Sequence, residues 1–196
     1  MKNDSPVTLA IVLMNAVMFL ASVTVGEAFV SAGVMDFELV SGGQLYRLLT
    51  AMFLHGSIDH IVGNMLFLFA MGEMVERAAG HVKYAVIYIL AGIAGNAVSY
   101  LYEMISGIRY SFLGASGAVY GIFGALIVMS IKKVSGINIV KSRIPLAIIY
   151  CLYSSFAMPN IDYAAHIGGL LFGMLLTALL VKKGGGDDYS EVYYYG

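Results

Sequence analysis

Four polar residues stand near the beginnings of long apolar segments, where such side chains are costly and usually functional. They are His60 and Asn64, four residues apart, Ser116, and His166. A serine hydroxyl becomes an effective nucleophile when an adjacent base takes its proton, and histidine is the side chain that most often does so. If these residues meet, they predict acyl-transfer chemistry, with Ser116 as nucleophile, His166 as general base, and His60 and Asn64 as oxyanion donors.

The composition indicates that a membrane bundle must position these residues. Of the 196 residues, 60% are hydrophobic and 12% are charged, against about half and a quarter in soluble domains. The apolar segments approach the ~20 residues needed to cross a bilayer, and they lack the strict alternation of barrel strands. We predict an all-α polytopic membrane protein with six transmembrane helices near residues 8–28, 57–76, 83–103, 115–131, 144–159 and 163–181.

Those spans would form one membrane domain over residues 1–183, followed by a flexible cytoplasmic tail over 184–196. Six spans leave both termini on one side, and nine lysines and arginines fall on that side against two, Arg47 and Arg109, on the other. An excess of basic residues marks the cytoplasmic face. We therefore predict an integral membrane protein with cytoplasmic termini and a site that opens to the external side. The membrane is expected to be that of a prokaryotic cell, which the charge count itself does not show.

In this topology the second, fourth and sixth spans all run inward from the external side. Residues in their first turns therefore share one depth, and the four polar side chains can converge there. Glycines at close spacing allow helices in lipid to approach each other, and they lie in the fourth and sixth spans at Gly117, Gly121, Gly124, Gly169 and Gly173. Ser116 at a helix start would also lie near unpaired backbone N–H groups, which stabilise an oxyanion.

Two external segments are candidates for gating access to this site. The loop over residues 29–56 is long and rich in apolar residues, so we expect it to be structured and partly sunk in the membrane interface. The fifth span is interrupted sharply at Met158-Pro159-Asn160. Because proline ends a helix, we favour the fifth span over the loop after Ser31 as the gate.

The motifs around these residues resemble those of the rhomboid intramembrane serine proteases. Gly114-Ala115-Ser116-Gly117 resembles the GxSG nucleophile motif, and Tyr120 matches the tyrosine one turn later. Ala165-His166 with Gly169 and Gly173 resembles the AHxxGxxxG motif, and the segment from His55 through His60 to Asn64 resembles HxxxxHxxxN. Glu76 matches an acidic residue of the second span, and Arg47 stands in Tyr46-Arg47 where the family usually has Trp-Arg.

The resemblance implies a Ser116–His166 dyad, with Tyr120 packed on the imidazole and an oxyanion hole formed by His60, Asn64 and the Ser116 backbone N–H. It also implies that Arg47 anchors the external loop. Substrates would be single-span membrane proteins, cut near the outer end of their helix, and no cofactor would be needed.

Several residues have less specialised interpretations. His60 and Asn64 could instead form a hydrogen-bonded pair that ties the second span to the loop, and His55 is expected to fix that loop. Glu76 with Arg77 is typical of an interfacial charge cluster. Asp162, four residues before His166, could hold its imidazole as a triad member does, although a dyad with Asp162 facing water is favoured.

Other classes of protein are less consistent with the sequence. No HExxH occurs and the histidines do not share one depth, so no metal is predicted. With a net charge of −1 and no basic stripe, nucleic acid is excluded as a partner, which leaves membrane lipid and transmembrane substrates. The oligomeric state is not indicated.

Two other functions compete with the protease interpretation. One is an inactive rhomboid relative that binds membrane proteins, which would lack Ser116 or His166, and the other is a small transporter, which would show inverted repeats.

Overall fold

The structure is a computed structural model that describes residues 5–137, 145, 149 and 161–183. Helices account for most of them, and one isolated antiparallel bridge joins Met35 to Phe112. The helices are α1 (Pro6–Val25), α2 (Glu27–Gly33), α3 (Phe37–Ser41), α4 (Arg47–Thr50), α5 (Ile58–Phe67), α6 (Glu73–Ala79), α7 (His81–Ser106), α8 (Ser116–Ile131) and α9 (Tyr163–Leu180).

Among the described residues, four helical segments are long and apolar enough to cross a membrane: α1, the continuous stretch Ile58–Ala79, α7 and α9. The shorter α8 is apolar and lies inside the bundle, with most of its residues buried. Five of the six predicted spans are thus found as helices, with ends within about three residues of their predicted positions, and the all-α polytopic prediction is confirmed. Of the predicted fifth span only Pro145 and Ile149 are described, both helical, and the tail 184–196 lies outside the described residues.

The three helices α7, α8 and α9 pack closely because glycines line their contacts. A Cβ built on Gly169 would overlap the carbonyl oxygen of Gly117, and one on Gly173 would overlap that of Gly121. On the other side, a Cβ on Gly95 of α7 would lie 2.7 Å from the Ala165 carbonyl oxygen of α9. Such backbone approach is what small residues permit in lipid, where packing replaces the hydrophobic effect.

The predicted external loop is structured, as expected, and Arg47 holds it together. The loop contains α2, α3, α4 and a 3-10 turn over Ala51–Phe53. The Arg47 side chain is buried, and its guanidinium donates to the Gln44 side chain at 2.8 Å and to the carbonyl oxygens of Ser31 and Val34 at 2.9 and 2.7 Å. A guanidinium presents several donors in a rigid fork, so one side chain fastens several turns of the loop.

The second span is not a regular α-helix, and a residue in its last part caps the N-terminus of α1. A π-helical turn over Leu68–Gly72 separates α5 from α6. Glu76 of α6 is fully buried, and its carboxylate accepts from the Val7 and Thr8 N–H groups at 2.9 and 2.7 Å and from the Thr8 hydroxyl. An acidic group at a helix N-terminus satisfies unpaired N–H groups and complements the helix dipole.

The hypothesis that Glu76 and Arg77 form an interfacial charge cluster is therefore wrong for Glu76. Arg77 instead pairs with Glu73 across 3.4 Å at the surface, while Glu76 caps α1 from the neighbouring span and also contacts His81 at 2.7 Å.

Candidate active site

The turn that leads into Ser116 requires a glycine at position 114. Gly114 has a φ of +136°, and its N–H donates to the Ala51 carbonyl at 2.9 Å. A Cβ at this position would lie 2.6 and 2.7 Å from Cε1 and Nε2 of His60. Both the backbone conformation and the contact exclude a side chain here. The His60 imidazole therefore lies directly over the backbone two residues before Ser116.

Ser116 is the first residue of α8, and it is partly exposed. The residue before it, Ala115, offers no side-chain cap. The N–H groups of the first turn are consequently not satisfied by a capping side chain and point outward from the helix end. Such a terminus attracts negative charge, so it can serve as part of an oxyanion hole.

His166 lies in the first turn of α9 and packs on the face of α8 that carries Ser116. Its imidazole stacks on the Tyr120 ring, with centroids 4.3 Å apart and planes inclined by 14°. Tyr120 follows Ser116 by four residues, so the two share a helix face. The neighbours Gly117 and Ala165 also touch, because a Cβ on Gly117 would lie 3.4 Å from the Ala165 carbonyl oxygen. These contacts place His166 against the part of α8 that begins with Ser116.

His55 and Asn64 form a buried pair beside this site. The Asn64 amide nitrogen lies 3.1 Å from Nε2 of His55, and both side chains are buried. The rings of His55 and His60 meet edge to face at 5.0 Å. Burial, with a smaller contribution from His60, lowers the pKa of His55 to about 3. His55 is therefore neutral near pH 7, and its Nε2 can accept a hydrogen bond from Asn64.

Comparison with known proteins places this arrangement in a family. A sequence profile of the Rhomboid domain matches residues 42–183. The chain belongs to the rhomboid family. It is similar to the rhomboid protease GluP of Bacillus subtilis (strain 168), with 36% identity over 155 residues, which are 79% of this chain and 30% of GluP.

Two further relatives show how much of this chain and of each relative is aligned. YdcA of the same strain is 32% identical over 145 residues, covering 74% of this chain and 71% of YdcA. RHOMBOID-like protein 6, mitochondrial, of Arabidopsis thaliana is 32% identical over 174 residues, 84% of this chain and 54% of that protein. The chain thus spans less than a third of GluP and about half of the Arabidopsis protein. Family and apolar helices together identify an integral, multi-pass membrane protein.

In this rhomboid chain Asp162 is a helix cap, and the triad interpretation is wrong. Its Oδ1 accepts from the Ala165 N–H at 2.9 Å, which closes the first turn of α9. Among the described residues, neither its Oδ2 nor Nδ1 of His166 has a hydrogen-bond partner, so no bond joins the two side chains. Water was the partner expected for Asp162, and the structure assigns it a backbone N–H.

Sequence reasoning missed several buried polar residues in the spans of this rhomboid. Asn15, Asn96, Ser99 and Glu103 are all buried within α1 and α7. The amide nitrogen of Asn96 donates to the Leu48 carbonyl at 2.8 Å and so ties α7 to the loop over residues 29–56. The available signal was their spacing, because Ser99 and Glu103 are four residues apart and share a helix face. They belong to none of the motifs that identified the other site residues.

Proposed function

We propose that this chain is an intramembrane serine endopeptidase that cuts single-span membrane proteins near the outer end of their transmembrane helix. The observation that carries the proposal is the stacking of His166 on Tyr120, on the helix face that carries Ser116. It supports a dyad in which His166 takes the Ser116 proton. The similarity to GluP, which is named a rhomboid protease, supports the same reaction class.

In the proposed reaction Ser116 Oγ attacks the carbonyl carbon of the scissile peptide bond while His166 accepts its proton. The resulting oxyanion lies at the uncapped N-terminus of α8, where the Ser116 N–H, His60 and Asn64 act as donors. His166 then gives the proton to the leaving amine, and an acyl-enzyme remains on Ser116. Water activated by His166 hydrolyses that ester and restores the free serine.

Three side chains would hold this site in shape without reacting. Tyr120 keeps the imidazole in one plane. His55 accepts from Asn64 and orients its amide, while Arg47 fixes the loop that packs above α7. The basic residues at the opposite end of the bundle support a site that opens to the external side, with both termini in the cytoplasm.

The decisive experiment uses the purified protein in detergent with a single-span substrate. We expect cleavage to be lost in both Ser116→Ala and His166→Ala, and labelling by a fluorophosphonate to be lost in Ser116→Ala. Ser111→Ala is the matched control, because Ser111 is an exposed serine of the loop before α8 that hydrogen-bonds to Asp36, and it should retain both. Cleavage that persists in Ser116→Ala would refute the proposed Ser116–His166 dyad. A folded wild-type protein that neither cleaves nor labels would favour a binding role.

A further inference from the structure

The side chain of Met52 enters the middle of the bundle from the 3-10 turn over Ala51–Phe53. Met52 is 1% exposed, and it belongs to the hydrophobic core that also contains Ala115 and Ala118. These two alanines lie on either side of Ser116 in the sequence. Met52 therefore connects the 3-10 turn to the start of α8, where the proposed nucleophile lies.

Other buried apolar residues of the loop over residues 29–56 pack in a different place. They form a second cluster with one residue of α7 and one of the segment before α8, which comprises Met35, Val40, Leu48, Ala51, Tyr100 and Phe112. Ala51 and Met52 are consecutive residues of one tight turn, yet they belong to different clusters. Because closely packed interiors transmit small displacements, a change at Met52 must also displace Ala51.

Gly92 of α7 provides the space that the Met52 side chain occupies. A Cβ built on Gly92 would overlap Cε of Met52, and it would lie 2.8 Å from Sδ of Met52 and 2.9 Å from Cβ of Ala118. The backbone of α7, the thioether of Met52 and the first turn of α8 therefore meet at one point. Methionine is unbranched and flexible, so it can fill a narrow gap of this kind.

The turn that contains Met52 also holds the backbone before Ser116. The carbonyl oxygen of Ala51 accepts a hydrogen bond from the Gly114 N–H at 2.9 Å. This carbonyl belongs to the peptide group that joins Ala51 to Met52, and peptide groups are planar. The position of Met52 therefore sets the direction in which the acceptor for Gly114 points.

We propose that Met52 is a positioning residue for Ser116. Packed against Gly92, it fixes the Ala51 carbonyl, and through that hydrogen bond it fixes the turn at Gly114 that orients the Ser116 hydroxyl and N–H. Without the thioether the 3-10 turn relaxes toward α7, the hydrogen bond to Gly114 weakens, and Ser116 moves. The effect on the reaction rests on the function proposed above, whereas the effect on the turn at Gly114 does not.

The first test measures hydrogen exchange, so that it is independent of catalysis. Exchange in detergent is followed by mass spectrometry for the Ser116→Ala protein with and without Met52→Ala, in overlapping peptides that isolate Gly114. Alanine lacks the atoms that reach Gly92, so the Gly114 N–H should be less protected. We expect its exchange to accelerate by about tenfold, the factor that corresponds to loss of one hydrogen bond.

Met129→Ala is the matched control, because Met129 is 0% exposed in the same core and lies near the other end of α8. It should lower Tm as Met52→Ala does, since both remove a buried methionine, and it should leave Gly114 exchange unchanged. Equal acceleration in the two variants would overturn the proposal. If Met52→Ala does not fold, Met52→Val carries the same test, because valine also lacks Sδ and Cε, and unchanged Gly114 exchange in that variant contradicts the proposal.

The second test measures the reactivity of Ser116 in the otherwise unchanged protein. Labelling by a fluorophosphonate should slow by about tenfold or more in Met52→Ala, and kcat should fall in proportion while KM changes little. Met52→Leu keeps an apolar side chain of similar volume and should recover most of the rate, and Met129→Ala should label at nearly the parent rate.

Labelling of Met52→Ala at the parent rate would refute the positioning role, and so would an equal loss in Met129→Ala. A parent protein that is never labelled would refute the proposed function and with it the effect of Met52 on the reaction. The exchange experiment would still decide whether Met52 holds the turn at Gly114.

Discussion

The ring of Tyr120 lies almost parallel to the imidazole of His166, with centroids 4.3 Å apart and planes inclined by 14°. In serine hydrolases with a triad, a carboxylate bonded to the imidazole fixes its orientation. Here Nδ1 of His166 has no such partner in the described part of the chain. We therefore expect the stacking on Tyr120 to carry the orienting role, because a flat contact can hold a ring in one plane without adding a buried charge.

Two substitutions of Tyr120 should distinguish the contribution of its ring from that of its hydroxyl. We expect Tyr120→Leu to lower kcat/KM about tenfold, because an aromatic pair contributes about 0.5–1.5 kcal/mol beyond its buried area. Tyr120→Phe keeps the stacked ring and should retain most of the activity. Thermal unfolding of both variants serves as the control for folding. Equal losses in the two variants would assign the effect to the hydroxyl instead.

Gly169→Ala should separate α8 from α9, because its Cβ overlaps the Gly117 carbonyl oxygen. Overpacking of this kind costs about 1–3 kcal/mol, and it acts next to Ser116. We expect a lower Tm in detergent together with loss of cleavage. Leu171→Ala is the matched control on the same helix, since Leu171 is 57% exposed on the outer surface of the bundle. A Gly169→Ala protein as stable as the parent would contradict the close packing described here.

Arg47→Lys should loosen the loop over residues 29–56 although the charge is kept. Lysine cannot present the fork of donors that reaches Gln44, Ser31 and Val34, and buried acceptors left unpaired cost about 1–3 kcal/mol. Faster proteolysis within residues 27–50 and a lower Tm are expected. The control is Arg77→Lys, because Arg77 pairs with Glu73 at the surface, where a pair contributes at most about 1 kcal/mol. Equal effects of the two substitutions would argue against an anchor.

Acidification should destabilise the protein through His55. Its pKa falls from 6.5 to about 3 on folding, chiefly because it is buried, so the unfolded chain binds the proton more tightly. The stability from this residue is present above pH 6.5 and is lost as pH falls toward about 3. Unfolding of the parent and of His55→Gln should therefore become more similar as pH decreases over this range. A difference that is constant with pH would show that His55 is not buried neutral.

The sequence was sufficient for the five spans found among the described residues, because their positions follow from apolar length and charge, and the glycine spacing correctly indicated the close packing of α8 on α9. The partner of each polar side chain was harder to predict. Asn64 meets His55, and Asp162 caps its own helix, which local spacing allows but does not determine. The partners become fixed only when the helices have set their rotation and depth.

The π-helical turn over Leu68–Gly72 and the buried face of α7 were not predicted for a related reason. A helix that is apolar on all sides gives little information about which of its faces is turned inward. Ser99 and Glu103 therefore looked like ordinary residues near a span end. Contacts with α9 and with the loop before Ser116 place them in the interior.

The Glu76 carboxylate makes the first helix dependent on a residue synthesised much later. Thr8 and Glu76 are 68 positions apart in the chain, so α1 leaves the ribosome with its first N–H groups bare and receives its cap only after the second span has been made. A truncated chain that ends before Glu76 would lack that cap. The order of synthesis therefore makes the first turn of α1 one of the last parts of these two spans to become fixed.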